Sequence, residues 1–261
     1  MINLHPNKLA RNIFLFILCV LAIGWAVTGL DLNSRMLSGG LRGLYDFIKL
    51  SFPLDFSILP SLINPFFQTF QIAIISIFFS TLFGLIIAPF AASNLIKNKI
   101  LCQMVKTLLG ILRGVPPLLY ALIFVATVGL GPLAGALGLI LHCTGAIGRF
   151  FSEAMEAVNM SAIESMKIDG ANKFQVYIHG VIPGCGEYIV GYILYYFEYC
   201  IRTSTILGLV GAGGLGYKLI SDMRLFRYDR AVVTFLVILA VIIIIDRISL
   251  LIRKSFIKNN F

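Results

Sequence analysis

Glu198 and Arg202 lie where charge is expensive, inside an apolar stretch covering about residues 188–210. A charged side chain at the bilayer centre costs about 2.5–3.5 kcal/mol on insertion scales, so such residues turn toward a protein interior or a wet cavity. Four apart, they share one helix face and can pair. Arg202, followed by Thr203, offers a planar fork that suits an oxyanion. A structural ion pair that locks helix packing is the alternative, and residue types alone leave both open. His142, two residues before Thr144, stands mid-run in another apolar stretch. It reads either as a helix-to-helix hydrogen bonder or as part of a polar path. No second His or carboxylate falls at ligand spacing nearby, so no metal is expected.

Gly211-Ala-Gly213-Gly214-Leu-Gly216, three residues after Gly208, matches the glycine string of a dinucleotide-binding turn. That turn needs a short strand before it and a helix after it within a βαβ unit. Here a full apolar helix precedes it, so close helix packing or a gate hinge is the better reading. The chain has no Gly-Lys pair and hence no P-loop, and it cannot cradle ATP phosphates in that way. The five Cys stand far apart with no Cys-x-x-Cys pair, which argues against a disulfide framework or a zinc site. No cluster of acids, His or Cys stands at catalytic spacing, so no catalytic residue and no cofactor are expected.

The elements that carry these residues follow from composition. Of 261 residues, 59% are hydrophobic and 13% charged, against roughly 45–50% and about 25% in soluble domains. The chain reads as all-α and polytopic. About 20 apolar residues of helix cross the hydrocarbon core, and six such stretches can be counted: 13–30, 66–92, two within the charge-free run 114–148, about 188–210, and one from about 231. Gly129-Leu-Gly-Pro132 supplies the turn that divides the third from the fourth. Pro116 and Pro117 sit at the start of the third, where a missing N–H costs little. With the N-terminus inside, 13 of 21 Lys and Arg fall on the inner face, which places both termini in the cytoplasm of a multi-pass cell-membrane protein. The net charge of +9 therefore reflects topology, and nucleic acid is not expected as a partner.

Two loops are long. Residues 31–64 outside carry Leu37, Leu41, Leu44, Phe47 and Ile48 at near-helical spacing, which predicts an amphipathic helix. The inner loop 153–183 holds an amphipathic segment over 153–168, then Asp169 and a Gly170 able to take a left-handed cap, then a short second helix ending at Pro183. The division expected is 1–92, with two spans and the external loop, and 93–261, a core of four spans with the inner loop.

That inner loop resembles the EAA loop of ABC-importer permeases, the surface that docks on the ATP-binding subunit. Glu164, Gly170, Ala171 and Pro183 match, while Ser165 and Met166 stand for the usual alanines and Ile182 for the usual leucine. The ending Tyr177-Ile-His-Gly180-Val-Ile-Pro183 is similar to that of phosphonate-importer permeases. So is Phe197-Glu198 through Arg202-Thr203 to the glycines at 208, 211, 213, 214 and 216, with support from Arg113-Gly-Val-Pro116, Leu141 to Gly145 and the tail from Asp246 through Arg253. The resemblance covers residue 113 to the C-terminus. It implies a type I ABC importer permease fold, a coupling loop carrying Glu164, Asp169, Gly170, Ala171 and Pro183, and a substrate path near Glu198, Arg202, Thr203, His142 and Thr144. It further implies a pair of ATP-binding cassette subunits, an external solute-binding protein and a second permease copy, all beside membrane lipid. The implied cargo is phosphonate. Phosphate, phosphite or methionine are the alternatives, and an ion-coupled carrier is disfavoured because no inverted repeat with broken helices is visible.

Overall fold

The computed structural model describes residues 6–29, 34–96 and 98–258, and its backbone is helical with no strand among them. Contacts divide the chain into two compact units, 1–52 and 53–261. The first contains α1 (Pro6–Gly29) and α2 (Ser34–Ser51). The amphipathic spacing between 37 and 48 thus lies on a helix. The expected boundary at 92/93 falls within the second unit.

The second unit holds α3 (Leu59–Ala91), α4 (Lys99–Gly114), α5 (Pro117–Val128), α6 (Pro132–Glu156), α7 (Met160–Ile168), α8 (Lys173–Val176), α9 (Ile182–Gly184), α10 (Gly186–Leu207), α11 (Gly214–Arg224) and α12 (Tyr228–Lys258). Among the described residues, segments 11–29, 56–91, 132–156 and 228–253 are long and apolar enough to cross a membrane by themselves. The third span differs from expectation. α5 covers only 12 residues, about 18 Å, and reaches full length only with α4, to which it is joined at an 80° bend. α10, at 22 residues and about 33 Å, is long enough to cross as well, but it is not apolar enough to count with the other spans.

The bend follows from Pro116 and Pro117, which have no N–H to return to the turn before them. In lipid the carbonyls so freed must find donors. Tyr120 Oη donates to Leu112 O, the carbonyl Pro116 cannot serve, at 3.1 Å, and His142 Nδ1 lies 3.0 Å from Val115 O, left over where Leu119 N–H turns to Pro116 O.

α6 is the axis of the bundle, packed by α3, α4, α5 and α10. Small residues let the backbones close in, the usual device where lipid gives helices no hydrophobic push together. At Gly145, a Cβ would stand 2.6 Å from the Arg113 nitrogen. Ser76 and Ser80 of α3 donate to the Ala136 and Ile140 carbonyls of α6 at 3.3 and 3.2 Å. At the C-terminal end of α6, Glu156 Oε1 accepts from Lys106 Nζ and Ser93 N–H, both at 2.7 Å, which fastens the α3–α4 connection to the foot of α6.

Candidate functional site

The segment between α6 and α10 is built from local capping. The amphipathic stretch expected over 153–168 is broken, because 153–156 finish α6 and α7 begins only at 160. Asn159 makes the break: its Oδ1 accepts from Ser161 N–H at 3.0 Å. α7 ends in a Schellman turn, with Asp169 N–H to Ser165 O and Ala171 N–H to Met166 O, both 3.0 Å, and Gly170 at φ +88° between them. α8 opens on a capping box, Gln175 N–H to Asn172 Oδ1 at 2.9 Å and Asn172 N–H to Gln175 Oε1 at 2.8 Å. Glu164, Asp169, Gly170 and Pro183 are exposed and Ala171 is half-buried. A Cβ on Gly170 would meet open space, so within this chain the glycine is required by its backbone conformation and not by a groove.

Sequence reasoning missed how this arm is anchored. Tyr177–Val181 forms a π-helical turn before Pro183, and Tyr177 Oη donates to Leu85 O of α3 at 2.7 Å. Leu85 stands four residues before Pro89, inside α3. Proline has no N–H for that carbonyl, and the tyrosine supplies the donor. Burial pushes the Tyr177 phenol up to about 12, so it keeps its proton at physiological pH. The only signal available beforehand was a proline inside a predicted span, which implies that some donor must arrive.

In the bundle, Glu198 is buried and its Oε1 accepts from Arg202, whose side chain is 53% exposed. The structure brings a third charge to this pair. Arg253 Nη2 of α12 lies 3.8 Å from Glu198 Oε2 and 3.1 Å from Ser249 Oγ. Thr203 and Thr144 are buried. His142 is engaged at both ring nitrogens, by Val115 O and by Tyr199 Oη at 3.1 Å, with the Tyr199 ring stacked beside it. It thus ties the α4–α5 joint to α6 and α10. The carbonyl takes Nδ1–H and the phenol O–H is accepted at Nε2, which assigns the neutral Nδ1–H tautomer from the network.

The glycine string follows the C-terminal end of α10, opposite the arm. Gly211, Gly213 and Gly214 have φ of +85°, +77° and +72°. Gly216 is crossed so closely that a Cβ would fall 1.8 Å from Thr205 O, and Gly208 faces the same crossing. Gly131 N–H donates to Gly211 O at 2.9 Å, which joins the α5–α6 turn to this loop. The first N–H groups of α11 are already taken, Gly214 by Gln68 Oε1 at 3.2 Å and Leu215 by Thr69 Oγ1 at 3.0 Å. That helix end is therefore not open to a nucleotide phosphate, and no strand precedes it.

Residues 80–258 match the family described as binding-protein-dependent transport system inner membrane component. The chain is 36% identical over 237 residues to the phosphite transport system permease protein PtxC of Stutzerimonas stutzeri, covering 91% of this chain and 86% of that one. It is 35% identical over 121 residues to the putative cryptic phosphonate transport system permease protein PhnE2 of Escherichia coli (strain K12), covering 46% of this chain and 99% of that one. In fold it is similar to a chain of the MetNI methionine ABC transporter in an inward-facing form, with a TM-score of 0.68 at 19% identity, covering 78% of this chain and 99% of that one. The chain is a multi-pass membrane transport subunit with the ABC-importer permease fold, and it belongs to the binding-protein-dependent transport system inner membrane component family.

Proposed function

We propose that this permease carries a phosphonate, or a closely related phosphorus oxyanion such as phosphite or phosphate, into the cell on the work of a separate pair of ATP-binding cassette subunits. The observation that carries the reading is the arm 160–184. It is a capped, exposed double helix that displays Glu164, Asp169 and Gly170 while Tyr177 fastens its far side to α3. Such a part transmits force applied at its tip, and the ATPases would grip it as a lever that switches the bundle between inward-open and outward-open states. The names of PtxC and PhnE2 support the substrate class.

An external solute-binding protein delivers the cargo to the outer loops, and both termini lie in the cytoplasm. A second copy of the chain completes the path. Tyr188, Tyr195 and Arg202 recur seven apart on α10 and are each half exposed, a polar face unsuited to lipid. Uptake of labelled methylphosphonate against phosphate, in a strain lacking this gene and in the complemented strain, tests the reading. Complementation should restore methylphosphonate uptake that stops on ATP depletion. Uptake that persists without ATP, or methylphosphonate uptake that does not depend on the gene, overturns it.

A further inference from the structure

A cavity of about 660 Å³ opens beside the inner half of α10, lined by Phe150 of α6, by Tyr188, Tyr192, Tyr195 and Tyr196, and by Arg253 of α12. Gly191 lies on its wall, and a Cβ there would enter open space. Tyr188, Gly191, Tyr195, Glu198 and Arg202 follow one another at intervals of three and four along α10, so they share one face, and Arg253, on the cavity wall, links it to the Glu198 cluster at 3.8 Å. Two guanidinium groups there meet a single carboxylate. Glu187 lines the same cavity, so two guanidinium groups and two carboxylates border it. Arg253 Nε is buried and has no hydrogen-bond partner among the described residues, which leaves a strong donor unused.

We propose that this cavity is a second anion subsite on the cytoplasmic half of the path, where Arg253 takes over the tetrahedral phosphorus oxyanion from Arg202. Arg253 supplies charge and an N–H, and the phenol groups on the wall supply O–H donors to the remaining oxygens. Glu187, at the same cavity, has the anion's own sign and favours release over retention. The proposal rests on the phosphorus-oxyanion reading above and extends it to a residue outside the pair. A free oxyanion and a phospholipid headgroup share this chemistry, so the test separates them.

The purified chain in maltoside detergent, which contains no phosphorus, is titrated with methylphosphonate and followed by phosphorus NMR line broadening. The native chain should broaden the signal saturably. Arg253→Gln should weaken binding at least fivefold, and Arg253→Lys should recover part of the loss. Glu198→Gln should tighten binding, because it removes the carboxylate that competes for both guanidinium groups. Native-like binding in a monodisperse Arg253→Gln chain overturns the proposal. Weaker binding in Glu198→Gln also overturns it, and this arm decides the matter if Arg253→Gln does not stay monodisperse. Transfer to phosphatidylglycerol nanodiscs gives the last arm: loss of methylphosphonate binding there assigns the site to a lipid headgroup and removes it from the path. A complemented strain that takes up neither methylphosphonate, phosphite nor phosphate through this gene refutes the proposed function, whereas normal uptake with unchanged binding in Arg253→Gln refutes this inference alone.

Discussion

The arm at the foot of α10 and the charged cluster partway up it are built by different rules. The arm is a chain of local hydrogen bonds, in which Asn159, Asn172 with Gln175, and Gly170 each satisfy backbone groups within a few residues. The cluster is assembled across the bundle, with Glu198 and Arg202 from α10 and Arg253, some 50 residues further along the chain, from α12. The difference is one of solvent. In the exposed arm a backbone group left over can turn to water, and capping sets where helices stop. In lipid nothing replaces a missing partner, so charges and freed carbonyls collect partners from distant helices. The arm is held together within itself, whereas the cluster is held by contacts between helices.

The largest expected effect lies at the tip of the arm. Gly170→Val forces a β-branched residue into a left-handed conformation, at about 1–3 kcal/mol, and removes the turn that sets α7 against α8. Uptake should fall at least tenfold while the chain still inserts and purifies. Gly170→Asn sharpens the comparison, because asparagine tolerates that conformation. Recovery of most uptake would show that backbone geometry is the requirement. Equal failure of Asn and Val would show that a partner's groove excludes any side chain, since a Cβ meets nothing within this chain.

At the cluster, Arg202→Ala should cost several-fold in uptake, and Glu198→Ala combined with Arg202→Ala should not restore it. Rescue by the double variant, read as labelled uptake at saturating cargo, would return the pair to a purely structural role. The half-exposed guanidinium over a buried carboxylate is the reason to expect no rescue.

Legibility follows the same division. The left-handed turn at Gly170 and the order of α7, α8 and Pro183 could be read because they are set within a dozen residues, and the apolar windows at 13–30, 66–92, the second half of 114–148 and from about 231 fall on the four helices long and apolar enough to span. Asn159 hid a helix break inside an amphipathic pattern that runs through it. The 80° joint was missed because α4 is amphipathic and carries Lys106 and Arg113, so it fails a search for charge-free windows. Arg253 looked like an inner-face anchor, and only the path of α12 carries it to Glu198. His142 was read with two open roles, and its partner Tyr199 is 57 residues away.

Two tyrosine hydroxyls allow the division to be tested with single atoms. Tyr177→Phe removes the donor that serves Leu85 O and leaves that carbonyl without its partner beside Pro89. An unsatisfied buried acceptor costs about 1–3 kcal/mol, and the hydroxyl also joins the arm to α3. Uptake should drop two- to fivefold with the thermal midpoint of the purified chain lowered. A lowered midpoint with unchanged uptake would make the bond structural only and free α3 of any part in transmission.

The smallest effect is expected from Tyr199→Phe. The ring and its stack on His142 stay, and only the O–H to Nε2 is lost. Hydrogen bonds between membrane helices average about 0.6 kcal/mol, and His142 keeps its bond to Val115 O, the one that satisfies the bend. Thermal stability should fall slightly and uptake should stay within twofold. His142→Leu should cost more than Tyr199→Phe, because it strips the Val115 carbonyl of its donor in addition to the Tyr199 contact. If the two variants are equal, His142 matters to α10 and not to the α4–α5 joint, and the broken span must be held by something other than the carbonyl bond. If Tyr199→Phe abolishes uptake while the chain stays folded, the hydroxyl faces the path, and the membrane region would be doing chemistry that its packing does not reveal.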